Sequence, residues 1–323
     1  MNLRLLVLIF AGCATGFAAE LRIGMIGLDT SHVPAFTELL NNPQNKKHVP
    51  GGKVVAAFKG GSADVEASRT RVDGFTKTLQ EKYGVKIVPT IEELCREVDA
   101  VMIMSVDGRP HLEQARPVIA AGKPLFIDKP MAGSLADVIE IFRLAKEADV
   151  PVFSSSSYRF YDGLLELKKA DIGELKGAIS YGPCSYEEHH PDLFWYGVHA
   201  TEALFTVMGT GCETVTRVAA KDTDVVTGVW EDGKVGTLRG LRNASTPSKV
   251  ILFGSKKVEE QKAGGDYSGL VREIMAFFKD GKAPVEAEET IELFAFMEAA
   301  DESKRRGGRP VKIAEVMAKA ARK

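Results

Sequence analysis

"IGMIGLDTSH", residues 23–32, decides how the first half of the chain is read. An apolar run reaches Gly27 and leaves through Asp29, Thr30, Ser31 and His32. A strand buried on both faces and running straight into a helix start has this pattern. In the dinucleotide-binding form of this turn, G-x-G-x-x-G, the second glycine lets the backbone approach a pyrophosphate. Here Asp29 stands at the second glycine position and His32 at the third. The turn keeps its place in the fold but brings bulk and negative charge towards a dianion. The helix N-terminus behind it still offers amide donors. Thr30 and Ser31 are expected to cap that helix.

Working outward, strand and helix patterns alternate. "GKVVAAF" (52–58), "DAVMIMS" (99–105), "PLFIDKP" (124–130) and "VPVFSSS" (150–156) read as further strands. Between them lie helical stretches from Thr90, with Glu93 completing a capping box, from His111 to Gly122, and from Ser134 onward. Short strand–helix–strand intervals imply a parallel sheet covered on both faces. Past residue 175 strands dominate, with an Asp232-Gly233 hairpin turn, and helices are expected over 268–280 and 286–305. The expected fold class is α/β, a Rossmann-like parallel-sheet domain (20–153) followed by an α+β domain with a mainly antiparallel sheet (154–323).

The chain has 323 residues, 45% hydrophobic and 27% charged, with a formal net charge of −2. That suits two globular domains and gives no reason to expect a nucleic-acid partner. Residues 1–19 read as a signal peptide: Arg4, a short apolar run and small residues before Ala19. The run is too short to span a bilayer, and a periplasmic location is expected. Lipid attachment at Cys13 is an alternative. Cys95, Cys184 and Cys212 have no disulfide or zinc spacing, and no metal is expected.

Several local patterns together resemble the glucose-fructose oxidoreductase, inositol dehydrogenase and rhizopine-catabolism (Gfo/Idh/MocA) family. They are the altered turn at Gly27, "IDKP" (127–130), "GVHATEAL" (197–204) and the tail "RRGGRPVKI" (305–313). The resemblance implies NAD or NADP on the first domain and a sugar or polyol substrate. It makes Lys129 the lysine beside the substrate hydroxyl and His199 the acid/base histidine. An ammonium lowers the pKa of a nearby hydroxyl, and an imidazole titrating near neutrality can take the proton. Glu202, one turn on, has the spacing to face the same way as His199. The family's aspartate four residues before the histidine is replaced by Trp195, leaving Tyr196 or Asp192 as substitutes.

The remaining cofactor-side candidates follow the same frame. They are Gly27, Asp29, Thr30, Ser31 and His32 at the turn, Lys59 at the end of the second strand, and Asp128. Ser105, Asp107, Arg109 and His111 belong to "SVDGRPH", which matches the loop beside the nicotinamide ribose. Lys59 replaces the acid that would hold an adenosine ribose; it can accommodate a 2′-phosphate or simply be solvated. On the substrate side stand Trp195, His189, His190 and Arg159, with Glu188 beside them. The expected function is an exported oxidoreductase of a sugar or sugar derivative using NAD or NADP. The alternatives are a lyase or epimerase-like enzyme and a carbohydrate-binding protein without dinucleotide. A homo-oligomer through the antiparallel sheet is expected.

Overall fold

The computed structural model describes residues 20–243 and 246–322, so the signal-peptide and Cys13 expectations lie outside the described residues. The first half runs β1 (Leu21–Ile26), α1 (His32–Asn41), β2 (Gly52–Phe58), α2 (Glu66–Arg69), α3 (Val72–Tyr83) and β3 (Lys86–Val88). It continues α4 (Ile91–Glu97), β4 (Ala100–Ile103), α5 (His111–Ala120), β5 (Leu125–Ile127), α6 (Leu135–Glu147) and β6 (Val152–Ser154). The strands form one parallel sheet in the order β3-β2-β1-β4-β5-β6. The strand order reverses between β1 and β4, and such switch points are where open parallel sheets bind ligands.

The second half runs α7 (Asp162–Lys168), β7 (Leu175–Pro183), α8 (Asp192–Trp195), α9 (Gly197–Met208), β8 (Cys212–Ala219), β9 (Thr223–Trp230) and β10 (Val235–Leu241). After β11 (Lys249–Gly254) and β12 (Val258–Glu260) come α10 (Ser268–Asp280), α11 (Ala287–Arg305), β13 (Val311–Lys312) and α12 (Ile313–Ala320). Its sheet has the order β12-β11-β7-β10-β9-β8-β13; only β7 and β10 pair in parallel. Helices α9 and α11 cover one face. The other face carries Val218, Val229 and Val235, exposed by 69%, 41% and 43%.

The long elements lie where the apolar periodicity puts them. Elements with few buried residues were not signalled: α2, α3 and β3 all fall between β2 and α4. Only Thr76 and Leu79 of α3 are buried, so its amphipathic stripe is faint. Thr90 and Ser134 cap α4 and α6 through the amides of Glu93 and Asp137. At α1 the expectation needs correcting. The Thr30 hydroxyl accepts the His32 amide at 3.0 Å, while Ser31 makes no capping bond.

Helix α10 belongs to the second half of the sequence but packs on the first sheet. Its Leu270, Val271, Ile274 and Phe277 share a core with Ile23, Met25, Phe36, Phe126 and Phe153. The Phe153 and Phe277 rings meet edge to face at 4.7 Å. Spacing of i, i+1, i+4 and i+7 places those α10 residues on one face. Gly281, with φ at +72°, ends the helix in the left-handed conformation.

Candidate active site

The carboxyl end of β1 is built around Gly27, whose φ is +81°. A Cβ there would sit 2.0 Å from the Ser105 Oγ and 2.6 Å from its Cα, so no side chain fits. Two residues on, the Asp29 carboxylate is fully buried. It accepts the Ser68 hydroxyl at 2.6 Å and the Val106 amide at 2.8 Å. Burial pushes its pKa up, against the pull of those two donors. Asp29 therefore ties the end of β1 to the end of β4, across the switch point, and to α2 above it.

Other bonds follow the same line. The Ser62 hydroxyl donates to Asp107 at 2.6 Å, and Arg109 binds Asp64 through both terminal nitrogens at 2.9 Å. Val65, Val106 and Trp195 form a small apolar cluster of their own, with Ala67 packed against it. Segment 60–71 thus lies over the crevice between β1 and β4 and is fastened at both sides.

Most of the cofactor-side candidates are spent within the protein. Asp107 is buried against Arg109, Ser62 and His190; burial alone would raise its pKa, but these partners hold it far below the carboxylate range. His190 is wedged between Glu187 at 2.7 Å and Asp107 at 3.1 Å and accepts the Gly108 amide, so it is not a sugar ligand. His189 pairs with Glu187 at 2.7 Å, and Glu188 is exposed. His111 is buried between the carbonyls of Met131 and Ser105, and the Ser105 hydroxyl donates to Gln114. Lys59 pairs with Asp73 at the surface at 2.6 Å. For Asp107, His190, His111 and Ser105 the corrections share a cause. Polar side chains at a buried loop junction are taken up by neighbouring polar groups before any ligand reaches them.

Beside the closed crevice lies a cleft of about 250 Å³. Its walls include Thr30, Ser31, His32, Lys129, Trp195 and His199. His32 pairs through Nδ1 with Asp128 at 2.6 Å and stacks on Phe36. Asp128 is buried; burial would raise its pKa, but the His32 ring and Lys129 pull it down overall. Lys129, next in sequence, is 8% exposed, and its Nζ lies 5.4 Å above the Tyr196 ring. Burial lowers the Lys129 pKa, and nearby Arg71 lowers it further, against the pull of Asp128.

His199 sits in the first turn of α9, buried, with its ring stacked on Tyr158 at 4.7 Å. Its Nδ1 shares a 2.7 Å hydrogen bond with the Ser156 hydroxyl. Burial, then the charges of Lys129 and His32, push its pKa well below that of a free imidazole. The expected Glu202 partnership does not form. Glu202 accepts Arg159 at 2.6 Å and Ser155 at 2.8 Å, and Arg159 also binds Glu289. Arg159 is thereby held in an ion-pair cluster rather than presented to a substrate. Asp192 is likewise engaged, by Arg217 and Lys304.

Sequence reading missed Arg71, Tyr158, Tyr161 and Tyr267 as cleft residues. Tyr158 had a signal, since it follows the strand end "VFSSSS". Tyr267 had none: it arrives on α10 and touches the His32 ring, 235 positions away in sequence, at 4.7 Å. Among the described residues no helix is long and apolar enough to cross a membrane, and no group of His, Cys, Asp and Glu gathers as a metal site.

Residues 21–156 match the family model for oxidoreductases with an NAD-binding Rossmann fold, Gfo/Idh/MocA. An uncharacterised oxidoreductase of Streptococcus pneumoniae is 26% identical over 160 residues, 43% of this chain and 42% of that protein. Inositol 2-dehydrogenase of Paracoccus denitrificans is 37% identical over 83 residues, 25% of this chain and 24% of the relative. The match thus spans less than half the length of either relative. Among solved structures, a probable dehydrogenase of Thermotoga maritima superposes with a TM-score of 0.74 at 22% identity, covering 92% of this chain and 100% of that one. Scyllo-inositol dehydrogenase of Lactobacillus casei, solved with NAD(H) and scyllo-inositol, gives 0.75 at 15% identity with the same coverage. At these identities the likeness is one of fold. Residues 21–156 thus match the Gfo/Idh/MocA oxidoreductase family model, and the described chain shares the two-sheet architecture of these dehydrogenase structures.

Proposed function

We propose that the chain is an enzyme of a sugar or sugar derivative in which Lys129 and His199 handle the proton of a substrate hydroxyl. The observation that carries this reading is the convergence of a buried lysine and a base-competent histidine on one hydroxyl-lined cleft. With Nδ1–H donating to Ser156, the His199 Nε2 keeps its lone pair and accepts the proton. The Lys129 ammonium stabilises the alkoxide that forms. Stacking on Tyr158 holds the imidazole in place. The likeness to inositol 2-dehydrogenase of Paracoccus denitrificans favours oxidation of a secondary alcohol.

The family's nicotinamide would supply the hydride acceptor for that oxidation. The crevice in its present arrangement does not fit an extended dinucleotide. Asp29 crosses the pyrophosphate position, and segment 60–71 with Trp195 fills the ground beside it. The proton step is what the chain's own residues carry. That closure favours a second reading, elimination or epimerisation by the same pair without dinucleotide. Titration calorimetry with NAD and NADP decides between them, on the native chain and on Asp29→Gly, His32→Gly. Tight binding to the native chain supports the oxidoreductase. Binding gained only by the variant identifies a converted crevice. No turnover of any sugar, with or without dinucleotide, removes the enzyme reading and leaves a binding protein.

Export and self-association complete the proposal. The first rests on residues 1–19, and N-terminal sequencing of chain recovered from the periplasm tests it. The second rests on the valines exposed on the second sheet. A monomer by light scattering would remove it.

A further inference from the structure

The cleft contains no carboxylate among the described residues that line it. Its charged wall residues are Lys129 and Arg71. Lys129 is more than nine-tenths buried, and among the described residues its Nζ has no hydrogen-bond or ion-pair partner; only the Tyr196 ring faces it. Arg71 lies at the mouth, exposed, and pairs with no carboxylate among the described residues. The neighbouring basic groups are already engaged, Arg109 by Asp64 and Asp107, and Arg159 by Glu202 and Glu289. The nearest acid behind the wall, Asp128, is held by His32.

A buried ammonium whose nearest carboxylate, Asp128, is already hydrogen-bonded to His32 is costly, and a further anion beside it lowers that cost. The rest of the wall suits a polyhydroxylated frame. Thr30, Ser31, Tyr158 and Tyr161 offer hydroxyls, and Trp195 offers an aromatic face. A volume of about 250 Å³ lies below the range of about 300–1,000 Å³ that drug-sized ligands occupy. It suits a monosaccharide.

We infer that the cleft takes a sugar bearing one acidic group, held between Lys129 and the Arg71 guanidinium. Arg71 lies in the segment that closes the crevice, so the same twelve or so residues that displace a dinucleotide bring the anion-binding charge. An arginine is suited to this because its planar fork binds carboxylate or phosphate through two parallel hydrogen bonds. The inference names the substrate class for the proposed acid/base pair and rests on that reading.

The test is calorimetric titration of the native chain and of Arg71→Gln with glucuronate, gluconate, glucose 6-phosphate, glucose, myo-inositol and NAD. At least one acidic sugar is expected to bind about tenfold or more tightly than the neutral ones. Arg71→Gln should lose about tenfold of that affinity or more while leaving neutral sugars unchanged. Arg71→Lys should recover part of it. The carboxylate and phosphate arms identify which acid is preferred. Equal binding of acidic and neutral sugars, an Arg71→Gln variant with native affinity, or NAD competing with the sugar for Arg71 would each overturn the inference. Turnover is measured separately. Acidic-sugar binding without turnover sinks the enzyme reading alone, and turnover of neutral sugars only sinks this inference alone.

Discussion

His199 and Lys129 line one buried cleft; burial, and then the Lys129 charge, weaken the proton affinity of His199. His199 is therefore neutral, and ready to accept a proton, below the pH at which a free imidazole charges. The acid limb of kcat/KM should fall with a midpoint well below pH 6.5, the reference value for histidine. A limb at or above that value would take His199 out of the base role. His199→Ala and Lys129→Met should each lower turnover by about a hundredfold with folding intact by circular dichroism. The same shift has a stability consequence. The folded pKa of His199 is depressed, so the unfolded chain binds more protons as pH falls. Its contribution to stability is complete above the unfolded pKa and is lost as pH drops from there towards the folded value. The thermal midpoint should fall on acidification from pH 7 to 5, and His199→Gln should flatten that slope.

Lys129 and His199 were legible because each lies in a short local pattern at a strand end or helix start. Glu202 was misjudged at the same scale. Its helical spacing from His199 is right, but a buried arginine claims it first. His111 opens α5, as one reading of the pattern had it, but its carbonyl partners, like the arginine and histidine partners of Asp107, were not legible. Chain-local pattern puts polar residues at the crevice without saying which neighbours satisfy them.

The element that decides access to the crevice is the connection from β2 to α3. Thirteen positions separate Phe58 from the first residues of α3, where such loops usually run about 2–6 residues. The extra length folds over β1 and is held by Asp29, Asp107 and Arg109 through short hydrogen bonds. Asp29→Ala should cost about 1–3 kcal/mol, because it strands the buried Val106 amide and the Ser68 hydroxyl. Urea unfolding measures that cost. Hydrogen exchange should show the loss concentrated in residues 60–71, and an evenly spread loss would mean that Asp29 does not fasten the segment. None of this was visible in the strand and helix periodicity. The segment buries little apolar area, and its hold is a set of polar contacts between residues far apart in sequence.

At the scale of the whole molecule, the two-sheet architecture was legible and its interleaving was not. The parallel strands read as apolar runs and the later strands as alternating ones, because each sheet is covered differently. That α10 leaves the second half to cover the first sheet has no local signature. Its amphipathic stripe fits either sheet equally well. Phe277→Ala should therefore destabilise the molecule by about 3–5 kcal/mol and do so through the first sheet, since Phe277 is fully buried against Phe153. Tyr267 would lose its footing with it, loosening the contact with His32.

The return of α10 also sets an order of events during synthesis. A ribosome that has delivered β6 has released every strand of the first sheet, yet the part of its apolar face beside α1 that α10 covers stays open until about a hundred more residues emerge. Through that interval the nascent chain cannot reach its finished core. At elongation rates of roughly 5–20 residues per second the gap lasts several seconds. Such a chain is a natural client for a holdase and stays loose enough to be threaded. A fragment ending at Phe160 should be insoluble or protease-sensitive when made alone, and adding a separate Ser268–Asp280 peptide should protect it. A stable, soluble fragment would show that the sheet needs no such partner.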